Sequence, residues 1–153
     1  METIPCEWNN IYYLGEVERE KKSWSSAFYF VDKDGHIVDG MDIPSLYNVS
    51  KEVFSNQLNK MNELLLAIYK CFESTGQQLW EQVRFSIDSA GKFQVDFRYD
   101  IMNADDGGQI LREIIWAYET FKYKPKEGTY CRRLLDKWLS QQQQNKPPTK
   151  RGR

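Results

Sequence analysis

The stretch from Trp80 to Tyr99, WEQVRFSIDSAGKFQVDFRY, alternates apolar and polar residues in two runs separated by a turn, a pattern that specifies a β-hairpin. Val83, Phe85 and Ile87 alternate with Arg84, Ser86 and Asp88, and Phe93, Val95, Phe97 and Tyr99 alternate with Gln94, Asp96, Arg98 and Asp100. Successive side chains on a strand point to opposite faces, so one face is expected in a core and the other carries a charged strip. A strip of mixed charges with no adjoining base or nucleophile suits recognition better than catalysis.

The rest of the chain supplies partners for that hairpin. Ile11 to Val17, Ser25 to Val31 and His36 to Met41 read as three short strands, and Asp34-Gly35 marks a tight turn because both residues tolerate positive φ. Pro44 ends this region. Ser50 and Glu52 then open a helix, the serine as a cap for backbone N–H groups and the acid at the positive end of the dipole. Val53, Phe54, Leu58, Met61, Leu65, Ile68 and Phe72 recur at helical spacing to about residue 74, and Gly76 closes the run. After the hairpin, NADDGGQ (residues 103–109) is a turn, Ile110 to Tyr123 a second helix, and Tyr130, Leu134, Leu135, Trp138 and Leu139 one side of a third. The order βββ-α-ββ-α-α predicts an α+β domain over residues 1–140. Its antiparallel sheet comes from two hairpin regions, with the long helix packed on one face through Phe54, Leu58, Met61, Leu65 and Ile68. Residues 141–153, QQQQNKPPTKRGR, form a basic low-complexity tail expected to be mobile.

Composition excludes several classes. With 41% hydrophobic and 14% aromatic residues the chain buries a real core, and no apolar run reaches the length of a membrane span. The start, METIPCEWNN, lacks the basic and apolar segments of a signal peptide, which predicts a cytoplasmic protein. Cys6, Cys71 and Cys131 are far apart, no CxxC occurs and His36 is the only histidine, so neither a disulfide framework nor a zinc site fits. Cys71 reads as a small core residue within the helix, and the five tryptophans mostly as core candidates. Residues 126–153 hold eight Lys or Arg and two acids, leaving thirteen basic and twenty acidic residues before them, a net of −7. An acidic body favours a cationic partner over nucleic acid, despite the basic aromatic run FKYKPK at 121–126.

No Gly-rich phosphate loop, nucleophile elbow or Cys–His pairing occurs, and His36 beside its turn reads as a solvated strand-end residue. No catalytic residue and no cofactor are therefore expected. Asp88, Asp96, Asp100, Asp105 and Asp106 offer oxygen ligands for Mg²⁺ or Ca²⁺, and a carboxylate metal-dependent enzyme is one alternative reading. Arg84 and Arg98 interleave on the same strand face and Asp105-Asp106-Gly107-Gly108 lacks EF-hand spacing, so no metal site is expected. A generic protein-binding adaptor is the other alternative.

Ile4-Pro5 with Trp8, the Asp34-Gly35 hairpin, Asp42-Ile43-Pro44 followed by Tyr47-Asn48-Val49-Ser50, the Trp80 opening, and Gly91-Lys92-Phe93 with Val95-Asp96-Phe97 and Tyr99 together resemble the YezG-like family of immunity proteins. The likeness covers about residues 4–125. It departs from the family after the last strand, where Asp100 is followed by Ile101-Met102 instead of an aromatic. The resemblance implies a non-enzymatic cytoplasmic inhibitor that binds the C-terminal domain of a cognate secreted bacterial toxin, often a nuclease. On that reading Asp96, Arg98, Asp100, Asp105 and Asp106 are the candidate toxin-facing residues, with no membrane and no direct nucleic-acid function expected.

Overall fold

The computed structural model describes residues 3–20, 22–102 and 107–147. Two compact units divide them, residues 1–102 and residues 103–153. The first contains β1 (Trp8–Glu18), β2 (Ser23–Asp32), β3 (Ile37–Asp39), a 3-10 turn (Gly40–Asp42), α1 (Ile43–Leu46), α2 (Lys51–Ser74), β4 (Gln82–Asp88) and β5 (Phe93–Arg98). These strands form one antiparallel sheet in the order β3-β2-β1-β4-β5. The predicted α+β architecture, with two hairpin regions in one sheet and a long helix on its face, is the one observed.

Local chemistry sets the element ends. His36 lies outside β3, which stops at Asp39, two residues before the expected Met41. There the Asp39 carboxylate accepts a hydrogen bond from Met41 N (2.9 Å) and turns the chain into the 3-10 turn, after which α1 begins at Ile43 with Pro44 in its first turn. Ser50 caps α2, its Oγ accepting from Val53 N at 3.5 Å, and beyond the last turn Gly76 takes φ +67°.

The core has two adjoining clusters because α2 crosses the sheet diagonally. Near its start Phe54, with Leu58 and Met61, packs on Phe28, Phe30, Val38 and Ile43; near its end Leu65, Tyr69 and Phe72 pack on Val17, Trp80, Val83 and Phe97. Close approach in the middle requires a missing side chain. A Cβ on Gly15 would lie 2.5 Å from Leu65 Cδ1 and 2.9 Å from the Tyr13 hydroxyl.

This diagonal overturns part of the expected core. Phe93 and Val95 share the α2-facing side of the hairpin with Phe97, yet they remain 63% and 46% exposed, because α2 leaves the sheet before reaching the hairpin's turn end. Ile68, expected inward, is 44% exposed, while Tyr69 takes the buried position. Cys71 and Val53 are likewise exposed. Among the tryptophans Trp80 and Trp116 are buried, but Trp24 is exposed.

Tyr13, in the middle of β1, hydrogen-bonds Ser26 Oγ at 2.7 Å, and burial pushes its phenol up to about 12. A folded-state value raised above the unfolded one gives stability that is full below pH 10 and lost as pH climbs towards 12. Tyr13→Phe is expected to remove about 2 kcal/mol of that alkaline loss, measured by urea melts on either side of the window. An unchanged pH slope would refute the assignment.

The second unit pairs α3 (Gly108–Phe121) with α4 (Tyr130–Gln144). Tyr118 and Trp138 meet edge to face at 6.4 Å between the two helices, Trp116 packs on Phe121 at 5.4 Å, and Leu135 is buried. Thr129 caps α4 through Arg132 N (3.2 Å). Gln141–Gln144, expected in a mobile tail, continue α4 because glutamine is a good helix former; their side chains are exposed. Removing residues 141–153 is expected to shift Tm by less than about 3 °C, since 1 kcal/mol moves a chain of this size by about that much. A larger fall in a thermal scan would mean that the segment packs on the body.

Candidate functional site

The polar face of the β4–β5 hairpin is built by three local devices. At the turn, Asp88 Oδ1 accepts from Ala90 N and Lys92 N (both 3.0 Å) while Gly91 takes φ +87°. Asp88 is thus occupied by its own turn. Along β5, Asp96 and Arg98 form an ion pair of 2.7 Å with both side chains about half exposed, and they stand opposite Arg84 and Gln82. At the far end, Glu81 Oε2 accepts from Ile101 N (3.0 Å) and Met102 N (2.7 Å), which ties down the chain as it leaves the hairpin. Asp100 sits in that exit at φ +50°, exposed, a conformation that aspartate tolerates better than most residues.

Of the five sequence candidates, Asp96 and Arg98 are brought into direct contact, whereas Asp100 lies two residues beyond the end of β5, where its positive φ ends the strand alternation. Asp105 and Asp106 lie outside the described residues. Sequence periodicity missed two features. Glu81, which positions Asp100, reads as an ordinary charged residue until its two backbone partners are seen. Gln82, on the expected solvent face, is buried, and its Nε2 donates to buried Glu16 (3.1 Å) while its Oε1 accepts from Arg84 Nε (2.6 Å). Polar residues at alternate positions mark a face, but not whether that face is wet.

Among the described residues, one acidic-histidine group has ligand atoms close enough for a cation: Asp32, Asp34 and His36, within 4.8 Å of one another. Its geometry is that of a turn lock. Asp32 Oδ1 accepts from Asp34 N and His36 N (both 2.9 Å) and Oδ2 lies 3.1 Å from His36 Nδ1. The backbone N–H of His36, first of these, holds the Asp32 carboxyl below the usual range. The lock is therefore strongest above that range and weakens as pH falls through the lowered value. No helix among the described residues is long and apolar enough to cross a membrane.

The fold and the charged strand face do not by themselves assign a role, but comparison with known proteins places the chain in a family. The family model described as immunity protein YezG-like matches residues 1–135. The chain is 31% identical over 125 residues to the immunity protein YezG of Bacillus subtilis, covering 81% of this chain and 82% of that one. It is 26% identical over 129 residues to the YezG of Bacillus spizizenii, covering 84% and 79%. A third relative, the type VII secretion system protein EsaG of Staphylococcus aureus, is 24% identical over 127 residues, covering 80% and 75%. The chain belongs to the YezG-like immunity protein family. The match extends into α4, further than the 4–125 span over which individual motifs are recognisable.

Proposed function

We propose that this protein is the antitoxin of a secreted bacterial toxin: it binds the toxin's C-terminal domain, a nuclease, in the cytoplasm of the producing cell and blocks it without catalysis or cofactor. The family match over residues 1–135 carries this reading. The relative named as a type VII secretion system protein supports a secreted partner. The net charge of −7 over residues 1–125 suits a cleft built to hold phosphates, because opposite fields accelerate encounter and specify orientation. Asp96, Arg98, Asp100, Asp105 and Asp106 are the residues assigned to that contact.

Inhibition by occupancy predicts a simple test. Co-expression with the C-terminal domain of the cognate toxin should rescue cell growth, and the two chains should co-purify in a fixed ratio. Purified protein should also stop DNA or RNA cleavage by that domain in proportion to the amount bound. Rescue without a stable complex, or turnover of any substrate by this chain alone, would refute it.

A further inference from the structure

The edge of the sheet at β5 has the properties of an unfilled strand-pairing site. Asp88 N donates to Lys92 O (2.9 Å) and Glu81 N to Arg98 O (2.9 Å), so the even residues of β5 turn their backbone groups to β4. The N–H and C=O groups of Phe93, Val95 and Phe97 therefore point away from the sheet. No bulge or proline interrupts this edge: the β4–β5 register runs unbroken from Gln82↔Arg98 to Ile87↔Phe93, and the charges it carries, Asp96 and Arg98 with Lys92 just before them, are of both signs. At the opposite edge, β3 is three residues long and passes straight into the 3-10 turn and Pro44.

The same edge is apolar on the α2 side. A right-handed helix that runs from above β2 to above β5 with Leu65 against the sheet turns Leu64 and Ile68 towards the bare turn end of the hairpin. Leu64 is 63% exposed, as is Phe93, and with Phe85 stacked 6.1 Å from Phe93 these residues line one open apolar shelf.

We propose that the occupant of this edge is β5 of a second copy, joined antiparallel about a twofold axis at Gln94. Charge selects both the partner and the register. Facing residues in an antiparallel pair share a sheet face, so the axis must pass through a residue of β5. An axis at Asp96 sets two carboxylates against each other, and one at Val95 sets Lys92 against Arg98. An axis at Gln94 instead sets Lys92 against Asp96 twice and Phe93 against Val95 twice, with Phe93 and Val95 exchanging the outward backbone bonds. An axis at Phe97 also sets Asp96 against Arg98 twice, but it opposes Val95 and Gln94 to Tyr99 and Asp100, beyond the end of β5 and where Asp100 at φ +50° leaves the extended form. Only the Gln94 register combines matched charges with the exposed Phe93–Val95 row. Both α2 helices then flank a shared row of Phe93 and Val95 side chains, which covers the shelf.

Sedimentation equilibrium of the full chain over a micromolar to submillimolar series is expected to show a shift from one-chain to two-chain mass. Lys92→Asp and Asp96→Lys each turn two attractive cross-strand pairs into repulsive ones and should weaken the dimer about tenfold. The double variant should restore it. Val95→Lys, at a half-exposed position, should leave the circular dichroism spectrum unchanged and abolish association. One-chain mass at every concentration would overturn the proposal, as would a dimer that survives Val95→Lys or a double variant no tighter than the singles. One-chain mass combined with loss of toxin protection in Val95→Lys would instead give the edge to the toxin.

Discussion

Trp80→Ala is expected to destabilise the protein by about 3–5 kcal/mol, the range for removing a large buried aromatic whose cavity cannot collapse. Trp80 is 1% exposed and is held by Tyr69 at 5.3 Å, Phe97 at 5.5 Å and Phe72 at 6.3 Å, so its loss opens one space bounded by α2, β4 and β5 together. Phe97→Ala removes a second wall of the same cluster, with Phe72 5.0 Å away, and should cost about 3 kcal/mol. Phe93→Ala, four residues earlier on the same strand and the same face, should cost less than about 1 kcal/mol in the isolated monomer, because that ring is mostly in water. Urea melts of the three variants under dilute conditions measure all three values. Equal costs for Phe93 and Phe97 would mean that α2 covers the whole hairpin instead of its far end.

That contrast locates the limit of what the chain discloses by pattern. Period-two alternation placed Phe93, Val95 and Phe97 on one face, and the register confirms that they share it. Alternation carries no information on the angle at which a helix crosses, and the crossing angle decides which end of the face is covered. The same holds on α2, where Ile68 and Tyr69 fall one residue apart at the margin of the stripe and only packing assigns the buried place to Tyr69. Turns were more legible. Asp34-Gly35, Ser50 and Gly76 act through bonds within a few residues, and each does what its chemistry predicts. The candidate site divides along the same line: the Asp96–Arg98 strip follows from alternation, whereas Glu81 acts on residues twenty positions away and is invisible to any local reading.

Charge reversal of Asp100, Asp105 and Asp106 to lysine is expected to abolish protection against the cognate toxin. Each desolvated charge removed from an interface of this kind costs about 2–5 kcal/mol, and a lysine adds repulsion from a cationic cleft. Asp96 is left unchanged, so the Asp96–Arg98 pair and the β5 edge stay intact and the result is independent of any self-association. Asp100 needs a control of its own, because its φ of +50° imposes a backbone cost of about 1 kcal/mol on most other residues. Asparagine tolerates that conformation, so the variant with asparagine at all three positions removes the charge and leaves the exit turn held by Glu81. It should fold normally and bind the toxin domain more weakly, with a lower association rate and a shallower dependence on salt than the wild type. If the lysine variant folds and still neutralises at wild-type affinity, the strip is a solvated face, and the toxin is recognised by a surface whose attraction owes nothing to these three carboxylates.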